Sequence, residues 1–123
     1  MTAKVEFDHR DSVGVARLSG EVDITQASAL RKQLLSAVRN DDLALVVDLS
    51  QVRYIDSVGV SLLFELAERL EGRQLRFAVV IPPDGLVERV LKIVNLDSVA
   101  EVHRGLEEAL IAVHGGESSS SPR

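Results

Sequence analysis

The chain has 123 residues, 46% of them hydrophobic but only 3% aromatic, and carries a net charge of −5. That length suits one domain with an aliphatic core. The absence of cysteine excludes a disulfide framework, a thiol nucleophile and thiolate metal sites. The acidic balance opposes direct nucleic-acid binding, which needs a basic face.

Val5, Phe7 and His9 alternate with Lys4, Glu6 and Asp8, the period of a half-exposed strand. Asp11-Ser12 is a hairpin turn, and Val13, Val15, Ala16 and Leu18 form a second, antiparallel strand that ends at Ser19-Gly20-Glu21. His9 reads as a strand-end side chain. Thr25 is the expected N-cap of a first helix, in which Ala27, Leu30, Leu34, Ala37 and Val38 recur at helical spacing. Arg31, Lys32 and Arg39 form its solvated face, and Asn40-Asp41-Asp42 ends it.

The apolar run Leu43 to Leu49 has the length and continuity of a strand buried on both faces, with a short turn expected at Ser50-Gln51. Tyr54-Ile55 leads into Asp56-Ser57, a helix start in which short oxygen-bearing side chains accept the first free amides. At about 100° per residue, Val60, Leu62, Leu63, Phe64, Leu66, Ala67 and Leu70 spread over roughly 200° of the wheel. Ser61, Glu65, Glu68 and Arg69 fill the rest, and Val58 falls among them. Gly72 is the expected left-handed cap.

Leu75 to Ile81 is the next buried strand, stopped by Pro82-Pro83. Asp84-Gly85 opens a helix through Leu86, Val87, Val90, Leu91, Ile93 and Val94, with Asn95 as its left-handed terminator. Val99 to Val102 is a short last strand, and Gly105 starts a final helix through Leu106, Ala109, Leu110 and Val113. The order β-β-α-β-α-β-α-β-α predicts a single α/β domain over residues 1–114, with a mixed, mostly parallel sheet and helices packed against it. Residues 115–123, with four serines, read as a disordered tail. No apolar run reaches the roughly 20 residues that cross a bilayer, and no basic-then-apolar leader precedes Lys4. A cytoplasmic protein without a membrane partner is expected.

Several chemistries compete for the polar residues. Ser57 as a nucleophile lacks the leading glycine of a Gly-x-Ser-x-Gly elbow, and neither His103 nor His114 is placed as its base. Asp23, Asp48 and Asp56 each sit at an element end where capping explains them. There is no Gly-rich phosphate-cradling loop, and His103 and His114 are too far apart for a metal site. The reading is therefore of a non-enzyme with no catalytic residue, metal or cofactor. A phosphorylation switch is the remaining chemistry, since a serine at a helix N-terminus can take a phosphate that free amides and the helix dipole would stabilise. The pattern alone favours Asp56 and Ser57 as a helix cap and nothing more.

Gly20-Glu21-Val22-Asp23, Val47-Asp48-Leu49-Ser50-Gln51-Val52 and Ile55-Asp56-Ser57-Val58-Gly59-Val60 together resemble the STAS domain family, and within it the bacterial anti-sigma factor antagonists. Val90-Leu91-Lys92-Ile93-Val94-Asn95-Leu96-Asp97 and Leu106-Glu107-Glu108-Ala109-Leu110 extend the resemblance, which runs from Val5 to Val113. It implies that Ser57 is a phosphoacceptor and that the partner is an anti-sigma factor that is also a serine kinase. The unmodified antagonist would bind that kinase and free the sigma factor, the phosphorylated form would let go, and a phosphatase would reset the cycle. Asp23 matches the acidic residue beside the phosphorylation site, and Asp56 and Gly59 match its frame. Asp23, Asp56, Ser57, Val58, Gly59 and Ser61 are the expected partner surface. The chain departs from the family at Val58, where many relatives carry a second hydroxyl, and at Asn95, where glycine is common. A STAS module docked constitutively in a larger signalling assembly is the alternative.

Overall fold

The computed structural model describes residues 3–115. The elements run β1 (Lys4–Arg10), β2 (Val13–Val22), α1 (Ile24–Ser36), β3 (Ala44–Ile55), α2 (Ser57–Gly72), β4 (Arg76–Val80), α3 (Leu86–Ile93), a 3₁₀ turn (Leu96–Ser98), β5 (Glu101–His103) and α4 (Leu106–His114). The tail expected to be disordered lies, beyond Gly115, outside the described residues.

Asp11 and Ser12 both adopt positive φ, 49° and 69°, which gives the tight hairpin a twist matching its strands. β1 and β2 pair antiparallel from Lys4↔Ser19 to Arg10↔Val13, and β2 to β5 are all parallel. The sheet order is β1-β2-β3-β4-β5. Each parallel strand is thus added on the same side of its predecessor. Right-handed crossovers then place α1, α2 and α3 on one face. Leu30 and Leu34 of α1, Leu62, Leu63, Leu66 and Leu70 of α2, and Val87 and Leu91 of α3 share a core with Leu45, Val47, Phe77 and Val79 of the sheet. Among the described residues no strand follows α4. It lies on the opposite face, where Ala109, Leu110 and Val113 pack on Val13, Val15, Ala44, Val46, Ala78 and Val80.

Four expectations are corrected. No turn interrupts the chain at Ser50-Gln51, because β3 continues to Ile55 alongside β2, with register shifts between Arg17 and Ser19 and between Gly20 and Glu21. Its buried residues there, Leu49, Val52 and Ile55, are spaced by three where a regular strand would have two, as irregular pairing requires. Asp23, not Thr25, caps α1, which ends at Ser36 and leaves the buried Val38 beyond it. Gly72 stays helical, and Gln74 takes the left-handed conformation at φ 61°. The last strand begins at Glu101 because Val99 and Ala100 complete the preceding turn, their amides donating to the Leu96 carbonyl. Asn95 is left-handed as expected, with φ 58°.

His9 does more than end a strand. Its Nε2 lies 2.6 Å from Oδ1 of the buried Asp42, whose Oδ2 accepts from the Arg39 amide at 2.7 Å. That contact ties the first hairpin to the segment between α1 and β3.

Candidate functional site

β2 and β3 are the longest strands, and they end together at the pair Val22↔Ile55. Each is followed by one linking residue and a helix, so the starts of α1 and α2 emerge side by side. The linking residues are Asp23 and Asp56. Both are extended, and both turn their carboxylates back onto the helix that follows.

Asp56 Oδ1 accepts from the amides of Val58 and Gly59, each at 3.0 Å, a two-amide N-cap. Its Oδ2 accepts from the Ile24 amide of α1 at 3.2 Å, and its own amide donates to the Val22 carbonyl at 3.1 Å. One side chain therefore fastens both helix starts. Asp23 Oδ1 accepts from the Thr25 amide at 3.0 Å and from the Thr25 hydroxyl at 2.6 Å. The Thr25 hydroxyl, ahead of an opposing desolvation and the Thr25 amide, holds the Asp23 carboxyl below its ordinary 3.8.

Ser57 is the first residue of α2 and is exposed; Ser61, one turn along, is exposed as well. Val58 is half-buried, less open than a side chain directed at solvent. Gly59 is buried, and a Cβ built on it would lie 2.7 Å from Ile55 Cγ1 and 3.0 Å from both Val22 Cγ1 and the Val22 carbonyl. Its contribution is closeness, since only glycine lets α2 start against the ends of β2 and β3. Asp48 stands apart from the other two aspartates: it is buried within β3, with Oδ1 accepting from the Ser50 amide at 2.9 Å.

Three of the amides expected to be free for an anion are engaged. Val58 and Gly59 bind Asp56, and the Val60 amide donates to the Asp56 carbonyl at 2.9 Å. A phosphate on Ser57 would meet a helix start already neutralised by a carboxylate. Ile24, the first residue of α1, lies outside the surface read from the sequence and is 68% exposed beside Asp23. Its signal was an aliphatic residue preceding the helical repeat that begins at Ala27.

A family model described as "Mlab, STAS domain" matches residues 5–110. The chain belongs to the STAS domain family. It is 33% identical over 109 residues to the anti-sigma-F factor antagonist RsfB of Mycobacterium tuberculosis, covering 89% of this chain and 87% of that protein. Among solved structures, an anti-sigma factor antagonist from Mycobacterium paratuberculosis superposes with a TM-score of 0.82 at 31% identity, over 92% of this chain and 95% of that one. The phosphorylated form of SpoIIAA from Bacillus shares the fold, with a TM-score of 0.65 at 20% identity over 87% of this chain and 96% of that one. No described helix of this STAS chain is long and apolar enough to cross a membrane.

Proposed function

We propose that this STAS domain is an anti-sigma factor antagonist whose binding is switched at Ser57. The unmodified chain binds an anti-sigma factor that is also an ATP-dependent serine kinase, and so frees the sigma factor. Phosphorylation of Ser57 releases the chain, and a phosphatase restores it. The observation that carries the reading is the exposed hydroxyl of Ser57 at the head of α2, flanked by Asp56 and by the Asp23–Ile24 turn. The 33% identity to an anti-sigma-F factor antagonist supports the choice of partner class.

In this reading Asp23, Asp56, Ser57, Val58 and Ser61 form the contact surface, and Gly59 holds it to the sheet. Phosphorylation adds about −1.5 to −2 charges at pH 7, beside carboxylates that already accept hydrogen bonds. With the Val58, Gly59 and Val60 amides taken, the added charge is only partly neutralised within this chain and burdens any acidic or apolar partner surface placed over it. Val58→Lys tests the face: binding to the kinase should weaken at least tenfold while the melting temperature stays within a few degrees. Unchanged binding would remove Val58 from the interface.

A further inference from the structure

Ile24 is 68% exposed, yet single exposed aliphatic residues are common and assign nothing alone. What distinguishes Ile24 is its backbone. Its amide donates to Asp56 Oδ2 while Oδ1 of the same carboxylate holds the amides of Val58 and Gly59. The exposed side chain is therefore held in register with Ser57 and Val58 by one group. We infer that Ile24 is an apolar anchor of the surface that meets the anti-sigma factor, and that Asp56 is the positioning residue that holds it there. This rests on the proposed function and deepens it.

The chemistry of the surface supports the assignment. A kinase that phosphorylates Ser57 must enclose its hydroxyl, and so must cover the side chains next to it. The carboxylates there already accept hydrogen bonds from this chain's own amides and from the Thr25 hydroxyl. Ile24 and Val58 are aliphatic neighbours with surface left to dehydrate, and Ile24 is the more exposed of the two. The matching feature on the partner is an apolar patch beside its serine-binding cleft. Burying one such side chain corresponds to about a tenfold to hundredfold gain in affinity.

The test titrates the purified full chain, Ile24→Lys, Val58→Lys and Asp56→Asn against the anti-sigma factor kinases of the source genome, each expressed separately. Ile24→Lys should bind at least tenfold more weakly with an unchanged melting temperature. Asp56→Asn retains one oxygen for α2 but loses the acceptor for Ile24. Amide exchange at Ile24 should then accelerate at least tenfold while exchange at Leu66 and Leu70 holds. Ile24→Lys binding within twofold of the parent, with Val58→Lys weakened, overturns the anchor and leaves the proposed function standing. Unchanged Ile24 exchange in Asp56→Asn overturns the positioning role. Absence of binding by the parent to every kinase overturns both the anchor and the function it rests on.

Discussion

Gly59 shows how little freedom the site has at the scale of single residues. With a Cβ 2.7 Å from Ile55 Cγ1 and 3.0 Å from the Val22 carbonyl, even Gly59→Ala must push α2 away from the strand ends. Overpacking of this kind costs about 1–3 kcal/mol, so urea unfolding of Gly59→Ala should show a lower midpoint at an unchanged slope. A parent-like midpoint would mean that α2 yields easily. Asp23 makes a prediction in pH. Its carboxyl is held below 3.8 in the folded chain, chiefly by the Thr25 hydroxyl, so the unfolded chain binds that proton first. The resulting stability is present above 3.8 and is lost as pH falls through the lower, folded value. NMR should show the Thr25 amide moving in that acid window, and Asp23→Asn should abolish the movement.

At the scale of elements, α2 is the organising piece, buried along Leu62, Leu63, Leu66, Ala67 and Leu70. Leu70 is fully buried, so Leu70→Ala should cost about 2–5 kcal/mol in chemical denaturation. The α1–α2 ion contact is different in kind. Arg31 Nε lies 2.6 Å from Glu65 Oε2, but both side chains are partly exposed, and Arg31→Ala should cost less than about 1 kcal/mol. The helices were legible in the sequence because their apolar residues repeat at helical spacing. The far half of β3 was not, because Leu49, Val52 and Ile55 fall three apart and imitate a broken strand. The α1 cap was misplaced for a related reason. Asp23 and Thr25 both carry capping oxygens, and the choice is decided by where β2 stops pairing, at Val22↔Ile55, which is a long-range fact.

At the scale of the whole molecule, the mixed, mostly parallel sheet was legible from the alternation of strands and helices, but its order was not, since local pattern does not choose neighbours. The sequential order β1 to β5 brings the two longest strands to one end and delivers Asp23 and Asp56 together there. The place of Ser57 at a helix start was legible from its own neighbourhood. Its coupling to α1 through Asp56 needed the fold, because the contact from Ile24 to Asp56 joins residues 32 apart in the chain. In the proposed switch, the modification state of Ser57 sets affinity for an anti-sigma factor kinase. The most direct measurement titrates that kinase with unmodified chain and with chain carrying phosphoserine at position 57, made without the kinase and verified by mass spectrometry. The phosphorylated chain should bind about a hundredfold more weakly, a difference of about 2.8 kcal/mol, while circular dichroism reports the same fold. Equal affinity of the two forms would contradict the account.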